Sequence, residues 1–458
     1  MSLKAIVEKI PFYDSLVLPL HWGQAVVAGA KNGWPGKKMR VIAVTGTNGK
    51  TTTCFMIWKM LNEAGHKTGL LTTVAWGGVN GDENDIVGVS AGSGAEGMDA
   101  LRMHKQFEHM TTERVGVLNE RMKAIYEAGA EFLVLETTSH ALVQFRTLGV
   151  PVEVAVFTNI THEHLDYHKT FEKYRVAKMK LFKKARFGVV NADDPNAEWF
   201  SGVVAARKNY AEGDIFTYGI EQGRFVATEV ELDASGVKYS CHDMEGEKAD
   251  LAVETQIPGK FNVYNSLAAV CVGRRVGLED AEIARGIRSL SSVEGRMTRI
   301  REGQDFEVIV DYAHAPDALE KVFESVGHAV DKGRRIISVH GGAGRRDPST
   351  RAIRGEILGR ESDVVIITED DSRDEDPKEI AAMFVEGAEK AGKKLGEDLI
   401  VELDREVAIR KALEMASGGD LVLLLGKGHE KTILRADGPH EFEDIKVAQK
   451  ILRGLKEK

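Results

Sequence analysis

Residues 40–53 read RVIAVTGTNGKTTT, passing from strand to loop to helix. Arg40–Gly46 is a short, β-branched apolar run of the kind buried in a parallel sheet. From Lys50 to Ala64 apolar residues recur at helical spacing until Gly65 stops them. Between the two, Gly46 and Gly49 let the backbone turn and approach an anion closely, so that N–H groups at a helix N-terminus face phosphate oxygens. Thr47, Asn48 and Thr52 complete that cradle, Lys50 would reach terminal phosphates, and the Thr51 hydroxyl would ligate Mg²⁺. The spacing GxxGKT is two residues shorter than the general GxxxxGK(S/T) loop, so the reading rests on strand, loop, Lys-Thr pair and helix occurring in register.

Outward from this loop, EFLVLE (131–136), VEVAVFTNI (152–160) and FGVVNA (187–192) alternate with helical patterns over Arg114–Ala128 and Phe171–Lys184. Such alternation predicts a doubly wound parallel sheet. Residues 76–97, rich in Gly, Asn, Asp and Ser, read as a long mobile loop. Short alternating runs from Asp214 to Val253 suggest a small antiparallel excursion, closed by helices over Val263–Val276 and Asp280–Leu290. Four further strand candidates, FEVIVDYA, RIISVHGG, DVVIITED and DLVLLLGKG, are separated by helical patterns. The expectation is therefore an α/β chain: an arm over 1–39, a P-loop-type doubly wound ATPase domain over 40–295, and a smaller Rossmann-like α/β domain over 296–458.

Composition agrees with a chain of 458 residues that at about 150 per domain makes roughly three units. Its 61 Lys+Arg against 70 Asp+Glu give a net charge of −9, which offers no broad cationic surface for nucleic acid. The three cysteines, Cys54, Cys241 and Cys271, form no CxxC pair and suit neither a disulfide framework nor a zinc site, so a reducing cytoplasm fits best. Near the N-terminus, FYDSLVLPLHWGQAVVAGAKNG (12–33) is broken by Asp14, Pro19, His21 and Gln24, too often for a spanning helix, and no small-residue cleavage site follows an apolar core as a signal peptide requires. Two readings stay open for it: an arm docked on the first domain, or a membrane-surface helix placing Leu16, Leu20, Trp22 and Trp34 near Lys37, Lys38 and Arg40.

Chemistry-bearing residues collect at strand ends. LETTSHALVQFR (135–146) sets Glu136 at the edge where such sheets gather catalytic groups, and TNITHEHLDYH (158–168) follows the next strand with three histidines and two carboxylates. Mg²⁺ takes oxygen ligands and few protein contacts beside phosphates, so one Glu and one His beside ATP make a plausible set. For His162 and His168 the plainer role of a hydrogen-bonded loop residue is expected.

These motifs resemble the Mur ligases and their folylpolyglutamate and cyanophycin synthetase relatives, from Val41 to about Leu452. Within that family TTSHAL and DYAHAPDALEK are most similar to the MurE type, which adds the third residue to a UDP-N-acetylmuramoyl dipeptide in peptidoglycan synthesis, and so serves cell-wall biogenesis, cell shape and division. The resemblance implies ATP, two Mg²⁺ ions with Glu136 and His164 on the second, and a CO₂-derived carbamate on Lys178 in YRVAKMKLF. A neutral amine is needed to attack CO₂, and burial beside a metal supplies it. It further implies that Asn262 or Asn265 in GKFNVYNSLAA, Asn265 being favoured, reads adenine, Arg296 in EGRMTRI meets the phosphates as the last domain closes, Asp311 binds ribose and His314 lines the nucleotide site. The sugar-peptide acceptor falls to Thr111, Thr112, Ser139, Gln144 and Arg146. The incoming amino acid falls to Arg346, Asp370, Asp371, Arg373, Gly426 and Glu430, where two arginines suit a distal carboxylate.

Three departures stand out: Asp371 and Ser372 replace Asn and Pro of an Asp-Asn-Pro-Arg motif, and Glu113 replaces the Pro after the Thr pair. A further difference is that only about 40 residues precede the loop where a MurE ligase carries a UDP-binding domain. A reduced MurE, a ligase for another carrier, or a partner supplying UDP binding would each account for that. The expected reaction is ATP-dependent amide formation through an acyl phosphate, adding a diamino acid such as meso-diaminopimelate or L-lysine to a muramoyl-dipeptide carboxylate. Its rivals are a folylpolyglutamate-type or other carrier-specific ligase, and a partner-dependent ATP-binding scaffold.

Overall fold

The computed structural model describes residues 13–81, 86–87, 103–105, 112–211, 213–233, 236–327 and 334–456. Twelve strands form the larger sheet: β1 (Arg40–Thr45), β2 (Thr68–Leu71), β3 (Ala75–Gly77), β4 (Ile86–Val87), β5 (Met103–Lys105), β6 (Phe132–Glu136), β7 (Val152–Phe157), β8 (Ala185–Asn191), β9 (Ile215–Gly219), β10 (Phe225–Asp233), β11 (Gly236–Asp243) and β12 (Leu251–Thr255). Their spatial order is β12-β11-β10-β9-β8-β7-β1-β6-β2-β3-β5-β4. Strand β1 pairs in parallel with β6 on one side and β7 on the other, Val44 standing opposite both Glu136 and Val156. The connections therefore diverge at β1, and the crevice beyond its carboxyl end is where open α/β sheets bind ligands.

The helix Lys50–Glu63 continues from that crevice and is buried almost all round, with Met56, Ile57, Trp58, Met60 and Leu61 fully covered. Helices Phe261–Val276 and Asp280–Ser289 press on it so closely that a Cβ on Gly286 would lie 2.5 Å from the Met60 Cα. A helix covered on nearly every side belongs in such a core, and it fixes the end of the phosphate loop.

The excursion differs from expectation at its beginning. Strand β9 runs parallel to β8, β10 runs parallel to β9, and only β10–β12 are mutually antiparallel, all within the one sheet. The Asp193 carboxylate supplies the reason: it accepts the backbone N–H groups of Ile220, Glu221 and Gln222, fixing the turn that keeps the chain in the sheet. The long loop expected over 76–97 falls mostly outside the described residues, although Trp76 lies in β3.

A second sheet joins β13 (Thr298–Arg299), β14 (Glu307–Asp311), β15 (Ile336–Gly342), β16 (Val364–Glu369), β17 (Leu399–Val401) and β18 (Leu421–Leu425) in the order β13-β14-β18-β15-β16-β17. All pairs are parallel except β13 with β14. The hairpin β19 (Thr432–Arg435) and β20 (Gly438–Glu441) follows. Strands β13 and β17 went unread in the sequence because each is too short to show a period.

The arm forms a helix, Tyr13–Lys31, that buries Ala25 and Ala28 and packs against the helix Val115–Glu127. Among the described residues no helix is long and apolar enough to cross a membrane. Cys54, Cys241 and Cys271 are all buried free thiols.

Candidate active site

The loop between β1 and its helix is built for close approach. A Cβ on Gly46 would sit 1.9 Å from Thr158 Oγ1, and one on Gly49 would sit 2.3 Å from Asn265 Oδ1. Gly49 caps the helix with φ 81° and no side chain, which leaves that N-terminus to an anion. Neighbouring strand ends hold the loop: Thr158 Oγ1 donates to Asn48 O at 2.7 Å, Asn48 N donates to Asn159 Oδ1 at 2.9 Å, and Thr47 Oγ1 lies 3.1 Å from Tyr174 OH. Lys50 Nζ donates to Thr47 O at 2.7 Å, folded back over the loop.

Glu136, buried at the end of β6, accepts from Thr51 Oγ1 at 3.0 Å and from both N and Oγ1 of Thr73 at 3.0 Å. Its oxygens and the Thr51 hydroxyl thus form a hard-ligand set of the sort Mg²⁺ uses. His164, with φ 56°, sits 3.6 Å from Glu163 through Nε2, and His314 approaches the other oxygen of Glu163 at 3.5 Å. Burial works against ionising Glu163, but His164, His314 and Lys50 hold its carboxyl well below the usual range. Lys178 lies behind the loop, donating to Gly46 O at 2.6 Å. Its side chain is buried, and burial together with the charge of Lys50 pushes its amine well below the ordinary lysine range.

Around these groups a cavity of about 1030 Å³ is lined from both sheets, with Asn48, Lys50, Glu136, His164, Arg346 and Arg373 on its walls. Asn48 Nδ2 donates across it to Asp317 Oδ2 at 2.6 Å, and Arg296 Nη2 donates to Thr51 Oγ1 at 3.3 Å. Two residues expected to meet nucleotide have their polar atoms engaged in the wall. Asn265 accepts from Thr53 Oγ1 at 3.2 Å and donates to Asn262 Oδ1 at 2.8 Å. Asp311 accepts the backbone N–H groups of Met297 and Ala313, each at 2.8 Å, and burial raises its carboxyl. His314 lines the cavity, its ring Nδ1 paired with Tyr312 O at 2.9 Å.

Glu136 and Thr138 line the cavity, while Ser139, Gln144 and Arg146 are not part of its lining. Arg146 donates through Nε to Gln144 Oε1 at 3.0 Å and through Nη1 to Thr112 O, and Thr112 Oγ1 donates to Glu136 O at 3.0 Å. Ser139 Oγ pairs with His168 Nε2 at 2.9 Å, and His162 stacks on Phe171. Burial and the neighbouring His164 and His168 push His140 down to about 2. Thr111 lies outside the described residues. The departure at Glu113 has a partner, since Arg121 Nη1 donates to it at 2.8 Å.

Across the cavity, Lys427 Nζ is enclosed by Asp370, Asp371 and Glu430 at 3.0, 2.9 and 2.7 Å. Three clustered carboxylates could hold a metal, but this ammonium already supplies the cation. Burial works against it, yet the three carboxylates hold Lys427 well above its ordinary range. Arg373 donates to Gly344 O at 2.7 Å and lies 3.9 Å from Asp371, while Arg346 is exposed on the cavity wall. Ser372, in place of proline, gives its N–H to Asp370 O at 2.9 Å and its hydroxyl to Glu369 at 2.7 Å, two bonds proline would not make. Gly426, at φ 103°, lies over His340 and Asp370.

Sequence reading passed over Glu163, Asp317 and Lys427. Each stands inside a quoted motif, and the signal was a charged residue beside a chosen one.

Comparison with known proteins gives this geometry a family. Residues 44–273 match the Mur ligase middle domain and residues 295–428 match the domain described as Mur ligase, glutamate ligase domain. The UDP-N-acetylmuramoyl-L-alanyl-D-glutamate--2,6-diaminopimelate ligase of Syntrophomonas wolfei is 35% identical over 438 residues, covering 94% of this chain and 81% of that protein. The chain belongs to the Mur ligase family. The UDP-N-acetylmuramyl-tripeptide synthetase of Roseiflexus sp. is 36% identical, covering 94% of this Mur ligase and 82% of its relative. A solved diaminopimelate ligase superposes with a TM-score of 0.59 at 29% identity, over 91% of this chain and 79% of that one. The folylpolyglutamate synthase of Mycobacterium tuberculosis, at 16% identity and a TM-score of 0.67 over 95% of each chain, shares the fold. By its relatives this Mur ligase is a MurE-type, ATP-dependent acid–amino-acid ligase.

Proposed function

We propose that this Mur ligase joins a diamino acid to the terminal carboxylate of a muramoyl dipeptide in peptidoglycan precursor synthesis, with an acyl phosphate as intermediate. The observation that carries the reading is the single cavity in which the phosphate loop, Glu136 and His164 face Arg346 and Arg373. On this reading residues 1–39 are an arm, 40–295 hold ATP and acceptor, and 296–458 hold the amino acid.

The loop Gly46–Thr52 and Arg296 bind the triphosphate, with Asn265, Asp311 and His314 shaping the nucleotide wall. Thr51, Glu136, His164 and a carbamylated Lys178 would hold Mg²⁺, which supplies neutralising charge for phosphoryl transfer. Carbamylation suits Lys178 because a buried, neutral amine attacks CO₂ and releases one proton, turning the side chain into an anionic oxygen donor. Thr111, Thr112, Ser139, Gln144 and Arg146 orient the acceptor so that its carboxylate oxygen attacks the γ-phosphoryl group, breaking the bond from the γ-phosphorus to the β–γ bridging oxygen and releasing ADP. Asp370, Asp371, Gly426 and Glu430 then position the amine for attack on the acyl carbon; the amine loses a proton and phosphate departs. Lys50 stabilises charge on the transferring group.

The choice of amine follows from charge. Lys427 offsets only one of the three charges of Asp370, Asp371 and Glu430, which leaves carboxylate for the reacting amine, while the guanidiniums of Arg346 and Arg373 on the same cavity suit a carboxylate at the substrate's other end. A substrate with a distal carboxylate, such as meso-diaminopimelate, is favoured over L-lysine.

Phosphate release with Mg-ATP and UDP-N-acetylmuramoyl-L-Ala-D-Glu, across meso-diaminopimelate, L-lysine, L-ornithine and L-glutamate, tests the proposal. Turnover that requires both acceptor and a diamino acid is expected. Turnover with L-glutamate alone, or ATP binding without turnover in any mixture, would overturn it.

A further inference from the structure

The outer face of the arm helix has no role in the site. Ala25 and Ala28 face inward, whereas Leu20, Trp22 and Val27 are 59%, 51% and 67% exposed. At about 100° per residue, Leu20, Val27 and Lys31 fall on one narrow stripe of the helix together with exposed Gln24, so two large apolar side chains share a face with a cation. Lys37 and Lys38 follow in the short 3₁₀ turn Pro35–Lys38, both exposed, and lie 4.9 Å over the Trp34 ring and 4.8 Å over the Tyr126 ring.

Charge separates this region from the rest. Residues 1–39 hold five Lys against two Asp and Glu, while the remaining chain holds 56 Lys and Arg against 68 Asp and Glu. A basic, apolar-tipped arm on an acidic body complements a negatively charged bilayer, which attracts the arm and repels the body. A second copy of the chain meeting it arm to arm would present the same positive charge and offers no such complement.

We propose that the outer face of the helix Tyr13–Lys31, with Lys31, Lys37 and Lys38, is a peripheral docking surface for an anionic lipid bilayer. The arm is held firmly enough to transmit such docking, because the Trp34 ring is wedged where Cβ atoms on Gly29 and Gly149 would lie 2.4 and 2.3 Å from it. Gly149 shares a segment with Arg146, whose charge reaches His21 on the arm's inner side. On the ligase reading, on which this consequence alone rests, docking brings the acceptor residues toward the membrane.

Co-sedimentation of the full chain with phosphatidylcholine vesicles, and with vesicles carrying about 30% phosphatidylglycerol, provides the test. Binding to the anionic vesicles at least about ten-fold above the neutral ones is expected, lost at high salt. It should also be lost in a Leu20→Glu/Val27→Glu variant and weakened in Lys31→Glu/Lys37→Glu, each with an unchanged circular dichroism spectrum. Equal binding to both vesicles, no binding, or binding indifferent to Leu20→Glu/Val27→Glu would overturn the proposal. So would a concentration-dependent dimer, broken by that variant, in place of vesicle binding. Ligase turnover measured in parallel with a soluble acceptor separates the two readings: vesicle binding without turnover retains the docking surface and removes the ligase function.

Discussion

Lys178 illustrates how one side chain can cost stability and be kept for chemistry. Its amine is buried behind the phosphate loop with a single backbone acceptor and with Lys50 near enough to disfavour its charge. Lys178→Met should therefore melt a few degrees higher than the parent without ligand, a gain on the order of 1 kcal/mol, while losing ligation. Differential scanning calorimetry beside the phosphate-release assay checks both. Lys178→Ala should regain part of its activity with added short carboxylates, and no regain with the fold intact would sink the carbamate role. At the other wall, Arg373→Ala should raise KM for meso-diaminopimelate by roughly 10- to 100-fold and for L-lysine far less. Equal effects would remove the specificity argument. The buried thiols lie at the opposite extreme: burial pushes Cys241 up to about 12 and Cys54 and Cys271 upward too, so native protein should leave a thiol reagent unreacted until unfolded.

Among the elements, the phosphate loop shows how little room separates strand from helix. Gly49 combines φ 81° with a clash at Asn265, so Gly49→Ala meets both backbone strain and a blocked approach. A stability loss of about 1–2 kcal/mol is expected from the left-handed backbone alone, with ATP affinity falling further, as urea unfolding and nucleotide titration would show. Asn265→Ala removes the obstructing amide, and the Gly49→Ala/Asn265→Ala double variant should recover part of the stability. The loop was legible in the sequence because its strand, glycines, Lys-Thr pair and helix follow one another along the chain. Asn265 and Asp311 were harder: their residue types suited a ligand, but packing brought Thr53, Asn262, Met297 and Ala313 to them first.

At the scale of the molecule, polar ties join the two sides of the cavity over the loop. Asn48 to Asp317, Arg296 to Thr51, and His314 to Glu163 each join a residue of the phosphate-loop side to one of the second domain. A hydrogen bond to a charged group contributes about 1.5–3 kcal/mol, so Asp317→Ala should raise KM for ATP by roughly 10-fold or more. Small-angle scattering should show a more open chain, while each domain keeps its own unfolding transition. An unchanged scattering profile and KM would mean that closure does not depend on this tie.

The sequence by itself determined the alternation of strands and helices, the phosphate loop and the order of the motifs, because hydrophobic period and glycine placement are local properties of the chain. It also carried the charge division between the arm and the body. Only the tertiary structure decided which motif residues face the cavity and which brace its walls, since Lys427 finds its three carboxylates, Glu113 its arginine and Asn48 its aspartate through folding. The reach from Lys427 to Asp370 and Asp371 and from Asn48 to Asp317 depends on packing of whole elements, and no spacing along the chain encodes it.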